Sequence, residues 1–208
     1  MRNMELLFVK DMFNTIAPWY DFLNRFLSLG QDIYWRREMV TALKISNSSK
    51  TIDIACGTCD VAIEIIKQKG KNAKVIGVDF SPGMLAPGLK KIINGKLESN
   101  IFLAAGNALS LPVTKKSFDG VSIAFGIRNI KDRTKALQEF YASLKTGGKI
   151  AIIVGDSTVN GRKIPTTILT KKFCEEVGFK FNKLIFNPLL GARNRAIRGE
   201  SIIICTKP

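Results

Sequence analysis

The eight residues Asp53-Ile54-Ala55-Cys56-Gly57-Thr58-Cys59-Asp60 join the end of an apolar run to a polar stretch that opens a helix. A strand that passes into a helix through so short a turn must bend its backbone sharply, and the free N–H groups at the helix start face any ligand that approaches. A cofactor can sit there. The turn is not the G-x-G-x-x-G of dinucleotide-binding proteins, because Gly57 is its single glycine. Asp79 closes the next apolar run roughly 20 residues later, where a carboxylate can accept hydrogen bonds from ribose hydroxyls. A third run ends in Gly106-Asn107-Ala108, which sets a short polar side chain beside the same cleft, suited to reading an adenine edge. All three motifs fall at the carboxyl ends of strands, the side on which open α/β sheets bind ligands.

The remaining reactive side chains narrow the chemistry. The chain has no histidine, so the usual near-neutral acid or base and the commonest metal ligand are both missing. Cys56 and Cys59 form a C-x-x-C, but a zinc site wants four ligands and Cys174 and Cys205 have no paired spacing, so no metal is expected. Four irregularly spaced cysteines also argue against a disulfide framework and for reduced thiols. The formal net charge of +15 would concentrate anionic partners such as nucleic acid or an acidic membrane surface, or it is simply a solvated lysine-rich surface.

These motifs need a frame. From Glu5 to about Thr41 the apolar residues recur at helical spacing, with breaks at Pro18 and around Ser28 to Gly30, which predicts two or three short amphipathic helices. Strands are then expected over Thr51–Cys56, Lys74–Phe80, Asn100–Gly106, Phe118–Gly126 and Lys149–Gly155. Helices are expected from Asp60 to Gln68, from about Pro82 to Ile93, and from about Asp132 to Leu144, the last stopped by Thr146, Gly147 and Gly148. A helix from about Pro165 to Val177 and strands at Phe179–Asn187 and Ser201–Thr206 complete the pattern, the last two read as an antiparallel hairpin at the sheet edge. Strands alternating with helices imply a mostly parallel, seven-stranded α/β sheet covered on both faces. A length of 208 residues and an apolar content of 46% suit one domain with its own core. Within it, 1–45 would form lid helices, 46–155 the cofactor-binding core and 156–208 a divergent helix and hairpin. No run approaches the roughly 20 apolar residues of a spanning helix, and MRNMELLFVKDMF is too short and too soon charged for a signal peptide, so a cytoplasmic protein is expected.

DIACGTCD, VDFSPGML and GNALSLP resemble the S-adenosylmethionine-binding motifs of class I, Rossmann-like methyltransferases. Two further stretches, FNTIAPWYDFLNRFLSLGQDIYWRR (Phe13 to Arg37) and FGIRNIKD (Phe125 to Asp132), resemble one branch of them, the ubiquinone/menaquinone biosynthesis C-methyltransferases, over about residues 8–150. The resemblance implies that Thr58, Asp79, Asn107 and Ala108 contact S-adenosylmethionine, together with Phe80 and Ala124, while Asp53 and Gly57 shape the turn. Ala124 stands where the family often has serine. Tyr20, Asp21, Asn24, Arg128 and Asn129 would border a quinol pocket, with Asp21 or a water oriented by Arg128 as the candidate base. The implied reaction is methylation of a ring carbon of a prenylated, demethylated quinol, either a demethylmenaquinol or a ubiquinol precursor.

After Lys149 the chain departs from that family. VGDSTVNGRKIPT, EEVGF and RNRAIRGESIII resemble the terminal segment of amino-group DNA methyltransferases, although AFGIRN stands where those enzymes carry their Pro-Pro motif. Arg193, Arg195 and Arg198 could then bind phosphate, which keeps a nucleic-acid methyltransferase open as an alternative. A third alternative is a cofactor-binding protein without transferase activity. The partners to be considered are the prenylated quinol, an anionic membrane surface, nucleic acid and a second copy of the chain.

Overall fold

The computed structural model describes residues 2–159, 161–188 and 199–208. Three helices lead the chain: α1 (Arg2–Ile16), α2 (Tyr20–Leu27) and α3 (Gln31–Leu43). A 3-10 turn at Ala17–Trp19 carries Pro18, and the α2–α3 break places Leu29 and Gly30 at positive φ. The alternating segment follows as β1 (Lys50–Ile54), α4 (Asp60–Lys69), β2 (Lys74–Asp79), α5 (Pro82–Asn94), β3 (Ile101–Ala105), β4 (Phe118–Ala124), α6 (Arg133–Ser143) and β5 (Leu144–Val154). The chain continues through β6 (Ser157–Val159), β7 (Arg162–Ile164), α7 (Thr166–Val177), β8 (Lys180–Pro188) and β9 (Gly199–Thr206).

Seven strands form one sheet in the order β3-β2-β1-β4-β5-β9-β8. The first five are parallel, while β9 runs antiparallel to both β5 and β8. This is the mostly parallel seven-stranded α/β sheet that the sequence predicts, with the antiparallel pair at one edge. Strand alternation divides its core in two. Trp35, Met39, Leu43, Ile65 and Ile153 pack on one face, and Ile52, Ile54, Phe118, Leu137 and Phe140 on the other. Because β1 is followed in space by β2 on one side and β4 on the other, a crevice opens beyond their carboxyl ends, and the site lies there.

Two local readings change. The fifth strand starts at Leu144 and not at Lys149, because Leu144 pairs with Phe118 as soon as α6 ends at Ser143. The short antiparallel pair β6 and β7 was not anticipated; Gly161, at φ 76, lies in its connection. Among the described residues no helix is long and apolar enough to cross a membrane.

Candidate functional site

The turn after β1 is held from below and from the side. Asp79, the last residue of β2, accepts the Gly57 N–H on Oδ2 and the Ser81 N–H on Oδ1, each at 2.8 Å. Gly57 adopts φ 54, and a Cβ there would lie 3.2 Å from Met84 Cε, so a larger residue would be strained as well as crowded. Helix α5 begins on a Ser81 cap that accepts the Met84 N–H, with Pro82 in its first turn. It packs so closely on the turn that a Cβ at Gly88 would collide with Cys59 Sγ.

Beyond these strand ends lies a cavity of about 520 Å³. Of the residues the sequence singles out, Tyr20, Gly57, Asp79, Phe80, Asn107, Ala108, Ala124, Arg128 and Asn129 line it. They come from four strand ends and the first helices, so the topology gathers what the sequence scatters. Asn107 Oδ1 accepts the Leu109 N–H at 2.9 Å, and this side-chain turn folds the loop so that Ala108 and Leu109 face the cavity. Burial pushes the Asp79 carboxyl above its ordinary value, against the pull of the Ser81, Gly57 and Phe80 backbone N–H groups. Its two oxygens offer about four acceptor positions, more than these three N–H groups use, which leaves room for a ribose hydroxyl.

Four of the predicted residues are absent from the cavity wall. Thr58 Oγ1 donates to Asp21 Oδ1 at 2.6 Å, and Lys91 Nζ lies 2.6 Å from Asp21 Oδ2 and 3.1 Å from Thr58 Oγ1. Burial would raise the Asp21 carboxyl, but Lys91 and Thr58 outweigh it and hold the group below the usual carboxylate range. A carboxylate stabilised in that way is a weak proton acceptor; its contacts instead fasten α2 to the Gly57-Thr58 turn and to α5. Asn24 lies half-buried on α2, where its Nδ2 has no hydrogen-bond partner among the described residues. Asp53 sits under the turn, accepting Ser122 Oγ at 2.7 Å. Arg193, Arg195 and Arg198 lie outside the described residues.

The cavity also uses residues that the sequence reading passed over. Val9 and Phe13 of α1 line it, with Phe13 edge-on to Tyr20 at 6.3 Å. Their helical spacing reveals an apolar face but not what that face covers. Asn14 of α1 accepts from Ser81 Oγ at 2.6 Å and from the Gly83 N–H at 3.0 Å, tying the first helix to the start of α5. Thus α1 and α2 are both moored to α5, and together they roof the cavity.

Asp53 yields a test of the turn's foundations. Burial pushes its carboxyl up to about 7, against Ser122 and Arg36. A carboxyl raised on folding contributes stability that is complete below its unfolded pKa and lost as pH rises through the folded one. The wild type should therefore lose stability between about pH 5 and pH 8. Asp53→Asn should flatten that loss by about 2–4 kcal/mol in urea unfolding measured at both pH values. Equal pH slopes in the two proteins would show that Asp53 ionises as readily folded as unfolded.

Comparison with known proteins places this arrangement. Residues 1–179 match the ubiE/COQ5 methyltransferase family, a longer stretch than the 8–150 that carries the motifs. A ubiquinone/menaquinone biosynthesis C-methyltransferase of Geobacter sulfurreducens is 43% identical over 154 residues, covering 74% of this chain and 60% of that protein. The chain therefore aligns with about three fifths of that relative's length. A demethylmenaquinone methyltransferase of Staphylococcus saprophyticus is 37% identical over 181 residues, covering 87% of this chain and 73% of the relative. Among solved structures, a SAM-dependent methyltransferase of Thermotoga maritima superimposes with a TM-score of 0.71 at 21% identity, over 96% of this chain and 99% of that one. One from Aquifex aeolicus gives a TM-score of 0.70 at 14% identity, over 86% and 92%. At such identities these two structures speak to the fold alone.

Proposed function

The chain belongs to the ubiE/COQ5 methyltransferase family, and from that premise we propose that it methylates a ring carbon of a demethylated, prenylated quinol. The observation that carries this reading is the convergence of the Gly57 turn, Asp79, the Asn107 loop and Arg128 on one roofed cavity. Asp79 would hold a ribose diol, the Asn107–Leu109 loop would border the adenine, and Gly57 would give the backbone room to approach. S-adenosylmethionine, when bound there, supplies an electrophilic methyl group on a sulfonium. The chain's own task is then to hold the acceptor ring in line and to keep water out, the positioning effect that dominates such transfers. Val9, Phe13 and Tyr20 present an apolar roof to the ring. Of the polar residues that line the cavity, among them Lys131 and Arg133, Arg128 and Asn129 would meet a ring oxygen, and a guanidinium there would stabilise the phenolate that makes the ring carbon nucleophilic. In a chain without histidine, Arg128 with a bound water takes the role that the resemblance also left open to Asp21.

The test is transfer of a labelled methyl group with reduced demethylquinone and duplex DNA offered together. Label is expected in the solvent-extractable fraction. Acid-precipitable label would replace this reading with a nucleic-acid methyltransferase, and no label in either would replace it with a cofactor-binding protein.

The same reading extends to where the acceptor is met. On and around α2, Trp19, Phe22, Phe26, Leu27 and Leu29 are each 61–67% exposed, and Phe22 stacks on Phe26 at 6.1 Å. This apolar outer face of the roof, on a chain of net charge +15, suits an anionic lipid surface in which a prenylated substrate resides. Phe22→Ser with Phe26→Ser should reduce partition onto phosphatidylglycerol vesicles about tenfold or more in sedimentation. Unchanged partition would leave the basic surface alone responsible.

A further inference from the structure

Glu200 opens β9 beside the cavity arginine, and the mechanism above makes no use of it. The residue is buried, with its side chain 9% exposed. Oε1 lies 3.6 Å from Arg128 Nη2, and Oε2 has no hydrogen-bond partner among the described residues. Gly155, just beyond β5, makes the space: a Cβ there would lie 2.7 Å from Oε2 and 2.8 Å from Oε1. Arg128 faces the carboxylate from the 3-10 turn Gly126–Asn129, and Asp156 acts on it from the loop after β5. Asn187 of β8, its neighbour across the ladder, is uncharged. Burial pushes the Glu200 carboxyl up to about 7, partly countered by Arg128 and reinforced by Asp156.

A buried carboxylate short of donors is costly, and the cost is greatest when it is ionised. Replacing it with an apolar residue would remove that cost. What the carboxylate adds is a fixed anion behind an arginine whose other side faces the cavity. Glu200 itself does not line the cavity, so any effect on the reaction must pass through Arg128.

We propose that Glu200 is the positioning residue for Arg128: ionised, it holds the guanidinium against the cavity wall in the pose that methyl transfer uses, and protonated, it releases it. The inference rests on the cavity being the acceptor site. The proton involved exchanges with solvent, so no step of the transfer itself is altered.

Two measurements on the whole protein test it. The first follows the Glu200 side-chain carboxyl by carbon-13 NMR across pH, in the wild type and in Arg128→Met. The second compares the pH profile of kcat for quinol methylation in the wild type, Glu200→Gln and Glu200→Asp. The carboxyl is expected to titrate near pH 7 and to move upward when the Arg128 charge is removed. The wild type should show an acid limb in kcat with the same midpoint. Glu200→Gln should abolish the limb and lower kcat above pH 8 by roughly tenfold or more, with S-adenosylmethionine affinity unchanged. Glu200→Asp should restore a limb. A carboxyl that titrates in the ordinary range, or is unmoved by Arg128→Met, overturns the pairing whatever the acceptor is. A limb that persists in Glu200→Gln overturns the role in turnover. Absence of any transfer to the quinol by the wild type sinks the functional reading alone, and the carboxyl titration then decides the pair.

Discussion

Asp79→Asn is expected to weaken S-adenosylmethionine binding on the order of a hundredfold or more while leaving the protein folded. Two losses combine. An amide carries no charge, and each hydrogen bond to a charged group is worth about 1.5–3 kcal/mol against about 1 for a neutral pair. It also has one acceptor oxygen where the carboxylate has two. Asp79 at present accepts from both Gly57 and Ser81; in the variant one of those N–H groups must face an NH₂. If Gly57 is the one that loses its partner, the turn loosens. If it is Ser81, the start of α5 shifts, and with it the Met84 contact that shapes the floor of the cavity. Isothermal titration of the cofactor into the variant, with near-ultraviolet circular dichroism to confirm packing, reads the effect. An affinity within about threefold of the wild type would remove Asp79 from the binding site.

Arg128→Ala should separate turnover from cofactor affinity in the opposite sense. Arg128 lines the cavity from the turn after β4, and its Nη2 lies 3.6 Å from Glu200 Oε1. No described interaction joins it to the Gly57 turn or to Asp79. Removing it therefore takes away a charge beside the proposed acceptor position and leaves the Gly57 turn and Asp79 in place. Loss of a preorganised donor in such a site lowers kcat about 10²–10³-fold, with cofactor affinity expected to stay within about twofold. Unchanged turnover would make Arg128 a wall residue only. Loss of cofactor binding in the same variant would mean that the two halves of the cavity are not independent. The truncation also strands Glu200 as an unpaired buried carboxylate, so some loss of stability at alkaline pH should accompany it.

The strand-end motifs were legible in the sequence because they are local. Gly57 and Asp79 are each set by a strand that stops and a helix that starts, and the parallel sheet then brings them together without further instruction. Arg128 and Asn129 follow a strand in the same way. Side-chain direction was not legible. Thr58 lies next to Gly57, yet its hydroxyl turns to Asp21 and Lys91, and Lys91 sits on a helix that no spacing rule connects to either. Asp21 is a candidate base only through the resemblance of the first helices to the family; what decides its chemistry is the cation opposite, which only the packing of α2 on α5 supplies. Glu200 was hidden more deeply. It lies in the segment where the chain departs from its relatives' pattern, and its partner follows β4, with four strands between them in the sequence. The signal that could have pointed to it is a lone acidic residue at the mouth of an otherwise apolar strand, SIIICT.

The placement of β9 bears on how the protein is made. Its residues Ile202 to Cys205 are buried, and it lies between β5 and β8 rather than at the rim. During synthesis the five parallel strands can assemble while β5 still presents an open row of amides and carbonyls next to Ile150, Ile152 and Ile153. Such an unpaired rim is a template for pairing with another chain. It stays uncovered until Gly199–Thr206 have left the ribosome, and only then can β8 join as the outer strand. Translational pausing in the 155–198 segment should accordingly favour aggregates templated on β5, and a chaperone that shields strand edges should rescue yield more than one that binds exposed helices.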